Sequence, residues 1–179
     1  YYEHHLMGKV QTVMAHCIHL SDVEMDRMAE TQTMVSHCPY SNVNLSSGIA
    51  PIRKLFERKI PIGLGSDISG GHIVSMAKVL TEAIGLSKMK WVEVDQTYAP
   101  LTLSEAFYMA TKGGGKFFGK VGSFEKGCEL DALVIDDTTL FDPNERSLEE
   151  RLERWLYVGD DRHIIERYVA GKVAPEPTN

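Results

Sequence analysis

The chain has 179 residues, 43% hydrophobic and 25% charged, the balance of a soluble globular protein with room for one domain and an appendage. A net charge of −6, with basic residues scattered among acids as in "RSLEERLERW", argues against a nucleic-acid partner, which selects a clustered basic face. No run approaches the roughly 18 apolar residues of a membrane-crossing helix, no secretory pattern opens "YYEHHLMGKV", and three cysteines suit a reducing compartment, read as the cytoplasm.

In chain order, "VQTVMAH" (10–16) is a short, partly β-branched apolar run and predicts a strand. Ser21 and Glu24 stand at capping-box spacing and open a helix through about Glu30. "TMVSHCP" is a second strand, halted by Pro39. Ile49, Ile52, Leu55 and Phe56 share a helical face over 49–58, and "IPIGLGSD" (60–67) is the third strand. Beyond it, Ile73, Met76, Ala77, Leu80 and Ile84 repeat at helical spacing. Three successive βα units imply a parallel sheet with flanking helices. Thr102 with Glu105 caps a further helix, "LSEAFYMATKGGG". The pattern then changes to a strand at 130–135, a helix capped by Ser147 and Glu150 to about Tyr157, and two short strands about a Gly171 turn.

Polar residues close each of the three strands: His16, His37 and Asp67. In parallel α/β architectures, functional groups gather at the carboxyl ends of strands. A histidine there is also a common satisfied core residue, and spacing alone leaves both readings open. Asp67 has further readings: a cap for a helix near Ile73, or a turn residue beside Gly70 and Gly71. A metal ligand is the third, since a carboxylate closing an apolar strand needs its charge offset. "GLGSDISGG" lacks the register and the lysine of a phosphate-binding loop. His19 and His72 read as solvated loop residues, and His4, His5 and His163 as surface. Cys17 and Cys38 lack zinc-knuckle spacing, and the eight methionines read as packing.

"VMAHCIHLSDVEM", "SHCPYSNVNLSSGIAPI" and "IGLGSDISGGH" resemble the second half of an amidohydrolase-superfamily deaminase, nearest to the branch acting on guanine. "LTLSEAFYMATKGGGKFFGKVGSFEKGCELDALVID" and "YVGDDRHIIERYVAGK" resemble the same family's carboxyl-terminal region. The resemblance implies an α/β fold: a distorted (β/α)8 TIM-like barrel whose last three βα units are the three found here. Residues 1–118 would belong to the barrel, and 119–179 would supply a helix and strands of a small composite β-domain. It implies that Asp67 binds zinc, with iron as the other candidate ion, and handles the proton of the attacking water. His16 would hydrogen-bond the reacting centre, while Ser41 and Asn42 would lie near the substrate and His37 just behind. The activity implied is hydrolysis of guanine to xanthine and ammonia, in purine catabolism, by an enzyme that is a homodimer when intact.

The family's paired H-x-H histidines, and its histidine and glutamate after the fifth strand, have no match here. A (β/α)8 barrel needs about 250 residues, and the chain opens on Tyr1. The expectation is therefore the carboxyl-terminal part of a longer enzyme, inactive in isolation and with open sheet edges. The alternatives are a deaminase of another amino-heterocycle (cytosine, an adenosine-type or a triazine ring), a truncated partner-packing protein without catalysis, and a phosphate binder built on Gly63 to Gly71.

Overall fold

A computed structural model describes residues 1–175. The first sheet holds β1 (Val13–Ala15), β2 (Met34–His37) and β3 (Ile62–Leu64), parallel and in chain order. Val13 to Ala15 pair with Met34 to Ser36, and Val35 to His37 pair with Ile62 to Leu64. This register sets the carboxyl ends of the strands side by side. Each strand is shorter than its apolar run: β1 and β3 end at Ala15 and Leu64, ahead of His16 and Asp67, while β2 keeps Ser36 and His37 in the ladder.

The helices between them follow from local chemistry. In α1 (Asp22–Glu30) the Ser21 side chain accepts from the Glu24 backbone N–H and the Glu24 carboxylate returns the bond, so two orphan donors of the first turn are satisfied. Pro39 does stop β2, but it also starts a helix the sequence reading did not foresee. α2 (Pro39–Asn44) takes Pro39 at its first position, where a missing N–H costs nothing. α3 (Ile52–Glu57) buries Ile52 and Leu55. The helix placed near Ile73 starts at Met76: Ser75 holds the N-cap position of α4 (Met76–Glu93) without a side-chain bond, and Asp67, eight residues earlier, does not cap it.

α5 (Leu103–Tyr108) carries the Thr102–Glu105 capping box and runs into one turn of π-helix, Met109–Gly113. That turn packs on β3, where Gly63 and Gly114 face each other. β4 (Ala132–Ile135), α6 (Leu148–Val158), β5 (Ile164–Val169) and β6 (Lys172–Val173) complete the described chain. β4, β5 and β6 form an antiparallel sheet, with Gly171 at φ 76 turning β5 into β6. His163, read as a surface residue, is largely enclosed because its Nδ1 accepts from the Asp160 N–H.

One apolar core joins the two parts. Met25, Met28, Val35, Leu55, Ile62, Leu80, Ile84 and Met109 continue into Trp155 and Leu156 of α6, with Ile135 and Ile164 of the second sheet packed against them. Of the methionines read as packing, Met7, Met25, Met28, Met34 and Met109 are buried, but Met76 and Met89 lie on exposed faces of α4. Arg53 of α3 bonds both carboxylate oxygens of Glu105, at 2.5 and 2.8 Å, and the carbonyls of Ala99 and Pro100, which ties α3 to the start of α5. No helix among the described residues is long and apolar enough to cross a membrane.

Candidate functional site at the carboxyl ends of the parallel strands

His16 follows β1, and its backbone N–H still donates to Ser36 O at 2.9 Å, so the residue is anchored to β2. Its φ is 67, and those of Cys17 and Asp67 are 50 and 47. Left-handed backbone is uncommon for residues with a Cβ and costs about 1–2 kcal/mol each. Such geometry turns a side chain out of the pleat and toward a shared mouth.

The two side chains meet there: His16 Nε2 lies 3.7 Å from Asp67 Oδ2, with both groups about two-fifths exposed. On the opposite edge of the ring, His16 Nδ1 sits 2.9 Å from Asn42 Oδ1. Asn42 arrives by way of α2, which the β2 corner delivers to the same end of the sheet. The Gly71 N–H donates to Asp67 O at 2.7 Å, and Asn44 Nδ2 donates to Gly70 O at 2.8 Å, so the segment after β3 is held against α2.

His37, Ser41 and Asn42 are wholly buried beneath this pair, at 1%, 0% and 1% exposure. His37 Nδ1, Ser41 Oγ and Asn42 Nδ2 have no hydrogen-bond partner. Burial, reinforced by the neighbouring His16, pushes His37 down to about 4, so its ring is neutral at ordinary pH. Three polar groups buried under a carboxylate and an imidazole cost stability that an apolar floor would not, which marks this floor as built for something other than packing.

Cys38 joins the site from a position the spacing did not reveal. One donor atom each from His16, Cys38 and Asp67 lies within 4.8 Å of the others. Cys38 follows β2 directly and is brought across by the Pro39 corner; its only signal in the sequence is adjacency to His37. Burial raises its thiol, and Cys17 is pushed up to about 11 by burial and by Cys38, so neither is a ready thiolate. A tetrahedral ion with bonds of about 2.0–2.3 Å spaces its donors by about 3.3–3.8 Å. The imidazole and carboxylate meet that spacing, and their chemistry is the kind a divalent cation takes. The residues present therefore fit part of the coordination shell of such an ion.

The glycines after β3 do not form an open phosphate cradle. A Cβ on Gly65 would lie 2.5 Å from Ser36 Oγ, and one on Gly70 would lie 2.7 Å from Ser41 Oγ and 2.9 Å from Asp67 Oδ2. They are close-packing glycines, and the phosphate-binding reading lapses. Of the loop histidines, His19 meets Ser47 O at 2.9 Å, and His72 stacks edge-on against Tyr40 with centroids 5.0 Å apart.

Polar groups raised at the carboxyl ends of consecutive parallel βα strands define a site of the parallel α/β class. Residues 1–174 match the amidohydrolase family, and the chain belongs to it. It is similar to the guanine deaminase of Dictyostelium discoideum, with 39% identity over 177 residues that make up 95% of this chain and 39% of that protein. Among solved structures, guanine deaminase from C. acetobutylicum with guanine bound in its active site superposes with a TM-score of 0.92 at 51% identity, covering 97% of this chain and 41% of that one. An adenosine deaminase from Xanthomonas campestris, which carries bound zinc, gives 0.76 at 26% identity over 93% of this chain and 38% of its own. The fold is thus the amidohydrolase fold of the TIM-barrel superfamily, and the chain spans about two-fifths of the length of these relatives.

Proposed function

We propose that this chain contributes to an enzyme that hydrolyses guanine to xanthine and ammonia. Residues 1–118 would supply the last three βα units of its barrel, and 119–179 the helix and strands of a composite β-domain. The observation that carries the reading is the facing pair of His16 and Asp67 at the strand ends, in a chain 51% identical to a protein that holds guanine in its active site.

In this reading Asp67 would hold a divalent cation, zinc first and iron second, through its carboxylate. Such a cation supplies, when bound, the acidification that makes water a nucleophile near neutral pH. Asp67 also takes the proton of the attacking water. His16, 3.7 Å across from Asp67 Oδ2, hydrogen-bonds the attacking oxygen and is a fixed group at the place where charge develops, where such groups matter most. The oxygen bonds to the ring carbon bearing the amino group, the proton held by Asp67 passes to the amino nitrogen, and the carbon–nitrogen bond breaks as that nitrogen leaves as ammonia. Ser41 and Asn42 of α2 lie near the substrate and His37, at the end of β2, just behind them; being buried, they act on the purine through the residues above them. The enzyme is read as a cytoplasmic homodimer serving purine breakdown, with no nucleic acid or membrane as partner.

The test uses the intact enzyme with these residues in place. Ammonia release is measured with guanine, adenosine, cytosine and an aminotriazine, together with metal content by elemental analysis. Guanine is expected to turn over fastest, and Asp67→Asn to lower turnover by about 100-fold or more and metal content with it. Turnover of another ring in preference to guanine overturns the substrate, and full activity in Asp67→Asn overturns the site.

A further inference from the structure

Asn42 was first read as a substrate-loop residue, yet its side chain is 1% exposed and its amide oxygen is already engaged. That engagement decides something about His16. A carbonyl oxygen only accepts, so the 2.9 Å contact between Asn42 Oδ1 and His16 Nδ1 requires the hydrogen to sit on Nδ1. In the neutral ring the other nitrogen, Nε2, then carries the lone pair, and Nε2 is the atom 3.7 Å from Asp67 Oδ2. Two electron-rich atoms facing each other at that distance leave an acceptor-lined gap for a proton donor or a cation.

We infer that Asn42 is a positioning residue: it holds His16 as the Nδ1–H tautomer and so presents Nε2 as the accepting end toward Asp67. The inference rests on the reading that His16 and Asp67 flank the reacting atom.

The setting suits the task. Asn42 sits in α2, whose start is held by Pro39 and whose backbone bonds include Asn42 N–H to Cys38 O at 3.0 Å and Leu45 N–H to Ser41 O at 3.0 Å. His16 is pinned by its own N–H to Ser36 O. With both backbones fixed and the amide wholly buried, the Asn42 side of the contact is shielded from competing bulk water, while the His16 ring keeps its outer edge open. A histidine free to rotate would lose both its orientation and the identity of the nitrogen it offers. Outer partners of this kind set ring orientation and tautomer, and losing one costs about 10–100-fold in activity or metal affinity. Ser41, adjacent in sequence and equally buried, makes no such bond, which sets Asn42 apart on its own helix.

The experiment takes the intact enzyme labelled with 15N-histidine. The His16 signals are assigned by their loss in His16→Gln, and the nitrogen shifts report the tautomer. In the wild type, Nδ1 is expected to carry the hydrogen; an Nε2–H tautomer there overturns the inference without any Asn42 variant having to fold. In Asn42→Leu, close in size but without an acceptor, the preference for Nδ1–H should be lost and kcat should fall about 10–100-fold with KM within about twofold. Asn42→Asp keeps an acceptor oxygen, so Nδ1 should again carry a hydrogen, but its charge also favours a second hydrogen on Nε2, so kcat should recover only in part. An unchanged tautomer and kcat in Asn42→Leu overturn the inference. If the enzyme leaves guanine untouched while the tautomer follows Asn42 as described, the substrate assignment fails and the positioning role stands. If guanine turns over normally while His16 carries its hydrogen on Nε2, the positioning role fails alone.

Discussion

Replacing Arg53 with Met isolates the strongest ion pair between the helices around the first sheet. Arg53 grips both oxygens of Glu105 at 2.5 and 2.8 Å, and with its side chain 22% exposed it is shielded well enough for the pair to count. The guanidinium is the main cause holding the Glu105 carboxyl down from 4.5 to about 2, with help from the Thr102 cap. That fall converts to about 3 kcal/mol at about 1.36 kcal/mol per unit. Glu105 is 32% exposed, so solvent screening reduces the share reaching stability to about 1–2 kcal/mol. A carboxylate depressed in the folded state contributes fully above its unfolded value and loses that contribution as the pH falls through its folded value. Arg53→Met should therefore lose an ion-pair share of about 1–2 kcal/mol of unfolding free energy at pH about 6, and the gap to wild type should narrow by that share between 4.5 and about 2, leaving the part due to packing and the two carbonyl bonds. Urea unfolding across that pH series measures it, and subtracting the two proteins cancels the other carboxylates. A gap as wide at the acid end as at pH about 6 would refute the ion-pair account and leave only lost packing and the two carbonyl bonds.

Three further outcomes are expected. The neutral His37, at about 4 instead of 6.5, gives stability that is full above 6.5 and declines as the pH falls toward 4, by up to about 3 kcal/mol; His37→Asn should flatten that part of the unfolding free-energy curve. Ser147→Ala removes the cap of α6 and should cost about 1 kcal/mol, read as a lower urea midpoint at unchanged slope. Gly70→Ala places a methyl 2.9 Å from Asp67 Oδ2 and should cut turnover of the intact enzyme about 100-fold while far-ultraviolet circular dichroism stays the same; wild-type turnover would mean the carboxylate is not held where it works.

What could be read in advance was what neighbours in sequence decide. The boxes at Ser21 and Glu24, Thr102 and Glu105, and Ser147 and Glu150 all form, because each partner is three residues away and the bonds are local. The three parallel strands followed from apolar runs alternating with helical patterns. Strand lengths did not: β1 stops where His16 takes left-handed backbone, of which composition carries no sign, and β3 stops at Leu64, three residues before Asp67. α2 was hidden because a proline reads as an end when it can equally be a beginning. At the site, the strand-end position of His16, His37 and Asp67 was legible. The bond from His16 to Asn42, 26 residues on, and the approach of Cys38 were not, because both depend on where the Pro39 corner turns the chain.

The contact between Gly63 and the π turn has a consequence for how this chain can drift over generations. A methyl added at Gly63 would meet Gly114 Cα at 2.9 Å and Met34 Cε at 2.7 Å, whereas one added at Gly114 would meet Gly63 Cα at 3.8 Å and Met109 O at 3.2 Å. Tolerance is therefore one-sided. Alanine at 114 is reachable by a small shift while Gly63 stays, but alanine at 63 requires backbone on the opposite element to retreat. A recombined or redesigned version that imports the π turn from a relative must therefore keep glycine at 63 whatever it brings in at 114.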